Sequence, residues 1–440
     1  MKLLGKRLAR HTVLNVVGQA TPLIAAFFTI PLLITALGED RFGALTLAWL
    51  LTGYTSIFDF GLGRALTQMV AQRLQLNQLA DEANNAELGA LVATALAATF
   101  GFSLIAGVAL YALTPMLVVN VFNVSAGLQA ETQQGLRLIA LFLPIVIATT
   151  GVRGLLEAYQ HFFAVNAVSI PMGLLNYLAP LAILPISNGL PAIVLVLIIV
   201  RALGTLTYLI LCLRLLPWRH WQIQPRTLPA LFRFGGWMSV SNIIAPIMLS
   251  FDRFVIAGMV SLSSVAYYTT PYTVINKMRI VPMALMRALF PALARERSNA
   301  KTLYQQSLFS LVMVMVPAVL VVVAFAKPAL IWWLGADFAS ESYRVAQLLA
   351  LGILVHSLGQ PSFTLIQALG RPDLTAKLHV AEIPFYVLYL PWLIDRFGIN
   401  GAAGAWLLRV SISTVILSLL AGWLLRRETV AVGTHHPARQ

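Results

Sequence analysis

Long apolar stretches recur along nearly the whole of this 440-residue chain, and they limit its fold more than any other feature. A helix needs about 20 mostly apolar residues to cross a bilayer. About twelve stretches meet that requirement. We predict bilayer-spanning helices over the ranges 12–37, 43–72, 88–113, 135–159, 164–187, 190–215, 234–259, 265–292, 305–326, 343–369, 375–395 and 400–425. The predicted fold is therefore an all-α polytopic membrane protein with about twelve transmembrane helices in two six-helix lobes.

Composition excludes most soluble classes of protein. Apolar residues make up 59% of the chain and charged residues 10%, whereas about 25% of a soluble domain is charged. The longest gaps between spans, 114–134, 216–233 and 326–342, are too short to fold alone, and the chain has no glycine- and lysine-containing phosphate loop. The single Cys212 lies inside an apolar stretch, which leaves no disulfide framework. We predict no cofactor and no metal site.

The distribution of basic residues predicts an orientation in the membrane. The formal net charge is +14, and cytoplasmic loops are enriched in Lys and Arg. If the basic N-terminus is cytoplasmic, most Lys and Arg residues outside the spans fall on the cytoplasmic side. The outer side then holds only Arg41, Lys327 and Arg396 in predicted outer segments, and Arg137 and Arg344 at the outer ends of the spans 135–159 and 343–369. An even number of spans also places the basic C-terminus in the cytoplasm.

The two halves of the chain resemble each other. Residues 155–161 and 365–372 each precede a short break and then a further apolar helix, and residues 31–43 map onto residues 253–265. Such parallel repeats place a transporter's substrate site between two bundles, although two leucine- and alanine-rich stretches can also match by chance. The predicted boundaries are an N-terminal lobe over 1–216, a cytoplasmic linker over 217–233, a C-terminal lobe over 234–427 and a cytoplasmic tail over 428–440.

Ionisable residues inside the spans are the candidate functional residues. Each one costs at least about 2.5–3.5 kcal/mol at the centre of a membrane helix, so it normally faces a cavity or a partner. The cations are Arg64, Arg153, Arg201, Arg253, Lys277, Arg279, Arg287 and Arg409. The carboxylates are Asp59, Glu157, Asp252 and Glu382. Because the cations outnumber the carboxylates, the membrane interior favours an anionic passenger, and guanidinium groups match diphosphate oxygens in a bidentate geometry.

Several of the cations have structural alternatives. Arg153 and Glu157 are four residues apart, so they share a helix face and can form a structural ion pair. Arg64 and Arg287 can instead reach the cytoplasmic headgroups. Arg201, Lys277 and Arg279 lie closer to the bilayer centre, which favours a cavity, although Lys277 and Arg279 point in different directions on one helix.

The carboxylates and the remaining cations leave further alternatives. Arg253 follows Asp252 directly, so the two can pair with different neighbours or lock the two halves together. Glu382 is an isolated carboxylate suited to proton coupling, or it serves as a structural hydrogen-bond acceptor. Asp59 lies beside two glycines, where it can cap a helix break or act as a counter-ion.

Six short motifs carry a resemblance to a known family. They are Asn15–Gln19, Pro31–Gly38, Arg41–Gly43, Asp59–Arg64 with the sequence DFGLGR, Asp252–Gly258 with the sequence DRFVIAG, and Ala266–Tyr268. In order and spacing they resemble the Wzx-type polysaccharide flippases of the multidrug/oligosaccharidyl-lipid/polysaccharide (MOP) exporter superfamily, which includes the MATE proteins. The resemblance covers nearly the whole chain and is strongest over 12–72 and 234–297.

The resemblance implies a transport function rather than catalysis. Such proteins move an undecaprenyl-diphosphate oligosaccharide from the cytoplasmic to the outer leaflet of the bacterial inner membrane by alternating access. It implies substrate contacts from the intramembrane cations, and coupling to a proton or sodium gradient through Asp59, Asp252 or Glu382. It also implies a monomer among membrane lipids, with polymerase or ligase partners and no nucleic acid.

Three rival functions remain open. A MATE-like multidrug or cation antiporter would favour buried acids, but residues 12–37 contain no Asp or Glu. A lipid II flippase usually carries two further helices, for which this chain has no room. A membrane polymerase or ligase would favour a large outer loop with Arg, His or Asp clusters, and no His lies in a predicted outer segment.

Overall fold

The computed structural model describes residues 21–53, 62–76, 82–215, 222–229, 250–295 and 299–433. Over these ranges the regular structure is helical, and no strand occurs in them. The chain divides into two compact units, Met1–Ser263 and Ser264–Gln440. The predicted linker 217–233 lies partly outside the described residues, so the predicted lobe boundaries stay a prediction.

The first unit consists of eight described helices. They are α1 (Thr21–Leu37), α2 (Glu39–Gly53), α3 (Leu62–Leu76), α4 (Glu82–Met116), α5 (Ala126–Ala158), α6 (Phe162–Ile183), α7 (Leu190–Leu215) and α8 (250–259). A π-helical turn, Leu117–Val121, ends α4, and a short 3₁₀ turn covers Pro225–Thr227. Within this unit α5 packs against α3, α4 and α7, and α2 packs against α5 and α7.

The second unit holds the remaining described helices. Helix α9 (Leu262–Ile275) begins at the unit boundary and leads into a 3₁₀ turn, Asn276–Arg279. The helices that follow are α10 (Ile280–Arg295), α11 (Ala300–Leu334), α12 (Ala336–Ala368) and α13 (Pro372–Gly433). Helix α12 packs against both α11 and α13. Its small residues allow this close contact, because Gly352 lies against Trp406 and Gly359 lies against Thr414.

The prediction of an all-α polytopic membrane fold is confirmed. Seven helices in the described ranges are long and apolar enough to cross a bilayer, and α1 is a shorter apolar helix. Helix α7 coincides with the predicted span 190–215. The predicted spans 12–37 and 234–259 lie partly outside the described residues.

Two predictions along the chain are wrong. The gap 326–342 is almost entirely helical, because α11 and α12 are separated only by Gly335, whose φ is 90°. The predicted span 265–292 is interrupted by the 3₁₀ turn Asn276–Arg279. The predicted separation of spans 375–395 and 400–425 is confirmed, because a kink at Gly398, whose φ is 57°, divides α13 into two helical parts. Hydropathy marks the apolar stretch, whereas helical hydrogen bonding continues past it.

The two units contain the same helix-ending turn at matching places. After α5, the backbone N–H groups of Gln160 and His161 donate to the carbonyl oxygens of Glu157 and Leu156, at 3.0 and 2.8 Å. After α12, Gly370 and Arg371 donate to Gln367 and Ile366, at 3.0 and 3.1 Å. Gln160 and Gly370 both have positive φ, 60° and 80°, as this type of C-terminal cap requires. These are the two segments in which the sequence repeat was found.

Candidate functional site

Arg201 lies on α7 and lines a narrow cavity inside the first unit. The guanidinium is partly buried, and its Nη2 donates to the carbonyl oxygen of Thr52 on α2 at 3.4 Å. The lining consists of Ala48, Thr52, Ile139, Val146, Asn176, Val194, Leu197, Ile198 and Arg201. Most of these side chains are apolar, so Arg201 is a cation in apolar surroundings, where an anion would interact with it strongly. We call this space the Arg201 cavity.

A second arginine lies close to Arg201. Arg153 on α5 places its Nε 2.7 Å from Glu157 Oε1, one helical turn away. Arg153 also acts electrostatically on Arg201. Both arginines and Glu157 act on Tyr208, whose hydroxyl donates to the carbonyl oxygen of Val165 at 3.1 Å. This region of the first unit therefore holds two guanidinium groups and one carboxylate.

Glu382 is a nearly buried carboxylate in the first half of α13. Its side chain is 10% exposed, and its Oε2 lies 3.5 Å from His379 Nδ1. Its other oxygen, Oε1, is buried and has no hydrogen-bond partner in the part of the chain that the structure describes. The His379 ring also packs against Phe363 on α12, with 5.9 Å between the ring centroids. A buried carboxylate oxygen without a partner is a place where a proton or cation can bind.

Arg409 comes from the part of α13 that follows the break at Gly398. Its guanidinium carbon is 4.9 Å from the centroid of the Tyr386 ring, which is a cation–π contact. Arg409 Nε is buried and makes no hydrogen bond to a described residue. Arg409 and Glu382 both act electrostatically on Tyr389, so these two opposite charges lie close to one tyrosine.

His356 on α12 completes this group. Its Nε2 lies 3.1 Å from Gln360 Nε2, and Arg279, His379 and Arg409 all act on it electrostatically. We call His356, His379, Glu382, Arg409 and the neighbouring Arg279 the Glu382 cluster.

Lys277 and Arg279 do not occupy a regular α-helix, as the predicted span 265–292 required. Both lie on the 3₁₀ turn Asn276–Arg279, where successive residues are about 120° apart. Arg279 Nη1 donates to Asn276 Oδ1 at 3.4 Å and is partly buried, whereas Lys277 is exposed. The turn thus directs the two side chains differently, and only Arg279 acts on the Glu382 cluster.

Asp252 and Arg253 are both buried within α8, with 2% and 6% of their surfaces exposed. The backbone N–H of Arg253 donates to Asp252 Oδ1 at 2.9 Å. Both residues make further interactions. The predicted role of this pair as a lock between the halves stays a prediction.

Three candidate residues cannot be placed in either group. Arg64 and Arg287 belong to α3 and α10, but their side chains lie outside the described parts of the structure. Asp59 lies outside the described residues altogether.

An ion pair outside the predicted spans fixes the ends of three helices. Arg41 at the start of α2 donates from Nε and Nη2 to Glu131 of α5, at 3.0 and 2.8 Å. Glu131 also accepts from the backbone N–H of Leu190 at the start of α7, at 3.4 Å. The hydrogen bonds to Glu131 raise the pKa of the Arg41 guanidinium. This bidentate pair links the helices that frame the Arg201 cavity.

Sequence reasoning missed the polar and aromatic partners of both groups. His379 is three residues before Glu382, and His356 is four residues before Gln360, which are spacings that join side chains on one helix face. Those spacings are the sequence signal that could have identified His379 and Gln360 as partners. No group of three or more His, Cys, Asp or Glu residues among the described residues is arranged to hold a metal ion.

Known proteins resemble this chain in sequence. A family model described as a polysaccharide biosynthesis protein matches residues 32–343. A protein of Shigella flexneri named as an O-antigen transporter is 29% identical over 420 residues, which are 95% of this chain and 97% of that protein.

Solved structures resemble it in fold. An inward-facing multidrug resistance transporter of the MATE family and MOP superfamily aligns with a TM-score of 0.73 at 13% identity, covering 94% of this chain and 98% of the other. The lipid II flippase MurJ, in an inward closed conformation, aligns with a TM-score of 0.67 at 12% identity, covering 98% and 94%. These likenesses confirm the predicted MOP-type fold.

Proposed function

Because the chain belongs to the polysaccharide biosynthesis protein family whose model matches residues 32–343, we propose that it is a flippase for a lipid-linked oligosaccharide. The proposed substrate is an undecaprenyl-diphosphate oligosaccharide, moved from the cytoplasmic to the outer leaflet of the bacterial inner membrane. Membership of this family confirms the resemblance drawn from the sequence motifs. The name of the Shigella flexneri relative, an O-antigen transporter, supports a substrate of this class.

The observation that carries the proposal is Arg201 in its cavity. The lipid tail of such a substrate can stay in the bilayer, whereas its diphosphate and sugars need a polar path. A guanidinium held among apolar side chains attracts an anion strongly, because little water screens the interaction. Arg201 has only one hydrogen bond to a described residue, at 3.4 Å, so most of its donors are available to phosphate oxygens.

The other intramembrane cations are further candidates for substrate contacts. We assign substrate contacts to Arg64, Arg253, Lys277, Arg279, Arg287 and Arg409, and a structural role to the Arg153–Glu157 pair. Alternating access would expose this path first to the cytoplasm and then to the outer side. The protein would act as a monomer with both termini in the cytoplasm, alongside a polymerase or ligase that consumes its product.

Glu382 supports coupling of transport to an ion gradient. Its free oxygen can bind a proton or a sodium ion, and His379 Nδ1 lies 3.5 Å from its other oxygen. Asp59 and Asp252 are further candidates for coupling. The same buried carboxylate favours one alternative, a MATE-like cation antiporter, because a cationic substrate can also neutralise it.

The test is transport by purified protein in liposomes. Leaflet exchange of an undecaprenyl-diphosphate oligosaccharide is followed in parallel with movement of ethidium, a model cation. We expect exchange of the lipid-linked saccharide without ethidium movement. Ethidium movement alone would replace the proposal with the antiporter.

A further inference from the structure

We propose that the Arg201 cavity leads into a saccharide subsite formed by Trp49, Asn176 and Tyr177, which binds the sugar attached to the lipid diphosphate. This inference rests on the proposed function. It names the residues that would distinguish a glycosylated substrate from a bare lipid diphosphate.

The first observation is an unused hydrogen-bond donor on α2. Trp49 Nε1 is buried and has no hydrogen-bond partner within the described ranges. Trp49 lies between Ala48 and Thr52, two residues that line the Arg201 cavity, and it is about 60° from Thr52 around the helix axis. A buried N–H group without a partner is costly, so its retention needs an explanation. A ligand hydroxyl that accepts from it provides one.

The second observation is a free amide on α6. Asn176 lines the Arg201 cavity, and its side chain makes no hydrogen bond to another described residue. Its amide offers a donor and an acceptor at adjacent atoms, which matches two neighbouring hydroxyl groups of a sugar ring. Arg201, on the neighbouring helix α7, supplies the positive charge that would bind the diphosphate. The sugar and the diphosphate of the ligand would therefore bind to neighbouring residues.

The third observation is an aromatic wall beside that amide. Tyr177 directly follows Asn176, and its ring centroid is 5.3 Å from that of Trp49, with 60° between the ring planes. Phe42 packs edge-on against Trp49 at 6.1 Å and holds the indole in place. Aromatic rings with one polar end bury the C–H face of a sugar while bonding its hydroxyl groups. The guanidinium and amide that line the cavity and the aromatic rings beside it are the kinds of group that bind a polar ligand with apolar faces.

The cavity is narrow in this structure, so a sugar needs it to open. Helix α6 carries Pro171 and Pro180 on either side of Asn176 and Tyr177. Each proline removes a backbone hydrogen bond and permits a bend. A bend in α6 would move Asn176 and Tyr177 together away from α2 and α7. The subsite is therefore placed where the unit can widen.

The test compares the binding of two probes by the full-length protein in nanodiscs. The first probe is undecaprenyl diphosphate, and the second is the same lipid carrying one pyranose, taken in turn as N-acetylglucosamine, glucose and galactose. The variants are Asn176→Ala, which removes the amide, and Trp49→Phe, which removes the indole N–H and keeps an aromatic ring. Trp332→Phe is the matched control, because Trp332 is 78% exposed and lies in the second unit. Arg201→Ala tests the diphosphate contact.

We expect the wild-type protein to bind at least one glycosylated probe more tightly than the bare lipid. Asn176→Ala and Trp49→Phe should weaken the binding of that probe about threefold to tenfold, which is the range for one lost hydrogen bond. The affinity for the bare lipid should not change. Arg201→Ala should weaken the binding of both probes, and Trp332→Phe should change the binding of neither.

Two results would overturn the inference. Equal binding of the bare and all glycosylated probes, or equal effects of the variants on both, would show that Trp49 and Asn176 serve packing alone, and the proposed function would stand. Failure of the wild-type protein to bind any probe would instead remove the proposed function, and the subsite with it.

Discussion

At the scale of single residues, Glu382 has surroundings that are unusual for a carboxylate. One of its oxygens faces His379, and the other is buried without a hydrogen-bond partner among the described residues. The His379 ring packs in turn against Phe363 on α12, and Glu382 also acts electrostatically on Tyr389. A change in the charge of Glu382 therefore acts on His379 and on Tyr389.

The first prediction concerns the pH dependence of transport. Glu382→Gln keeps the shape of the side chain and removes its carboxylate, which is the group proposed to bind the coupling ion. We therefore expect the variant's transport rate to vary less with pH than the wild-type rate. Leaflet exchange in liposomes from pH 5 to pH 8 measures this.

The control for that variant is Glu341→Gln, since Glu341 is an exposed carboxylate. It should leave the pH profile unchanged. An unchanged profile in Glu382→Gln as well would return Glu382 to a structural role.

The second prediction separates structure from transport at Arg153 and Glu157. The pair spans one turn of α5 inside a predicted membrane span, where an unpaired charge is costly. We expect the exchange Arg153→Glu with Glu157→Arg to keep the pair and most of the transport rate. Arg153→Glu alone should lower the thermal stability and the rate. If the exchanged variant folds but transports nothing, Arg153 itself contacts the substrate.

The sequence identified charged candidates, but it could not assign their partners. Arg201 and Glu382 are visible because a charge in an apolar stretch is rare. Asn176, Trp49 and His356 are ordinary residues in a membrane helix, and their importance depends on which residues face them from other helices. That information is absent from periodicity within one helix.

At the scale of helices, close backbone contacts decide the packing. Gly107 on α4 is buried, and a Cβ atom placed there would lie 2.5 Å from the carbonyl oxygen of Ala140 on α5. Gly101, on the same helix, has open space at the corresponding position. The helix pair therefore tolerates a methyl group at one glycine and not at the other.

The third prediction uses these two glycines as a matched pair. Gly107→Ala should lower the free energy of unfolding by about 1–3 kcal/mol, because a backbone atom must move. Gly101→Ala should have no destabilising effect and can gain up to about 1 kcal/mol from helix propensity. Thermal melting in detergent measures both. Equal melting temperatures for the two variants would contradict the α4–α5 contact.

The helices also show how far the sequence predicts the fold. Hydropathy located α7 at both ends and identified the membrane class. It could not show that α11 and α12 are separated by a single glycine, or that Asn276–Arg279 forms a 3₁₀ turn. Those features depend on local backbone geometry, such as the φ of 90° at Gly335, which hydropathy does not report.

At the scale of the whole molecule, three features agree. The chain belongs to a family of polysaccharide biosynthesis proteins, it has a MOP-type fold, and its predicted membrane spans contain several arginines. A transporter of cations has no need of buried guanidinium groups, whereas a transporter of lipid diphosphates does. The account therefore depends most on the role of Arg201.

The most direct measurement is leaflet exchange of an undecaprenyl-diphosphate oligosaccharide by Arg201→Ala in liposomes. Losing charge-assisted hydrogen bonds worth about 1.5–3 kcal/mol corresponds to a rate about 10- to 150-fold lower. Arg344→Ala is the control, because Arg344 is exposed and lies at the outer end of the predicted span 343–369, and it should keep the wild-type rate. If Arg201→Ala inserts normally and exchanges the lipid at the wild-type rate, the cationic path through the Arg201 cavity is wrong.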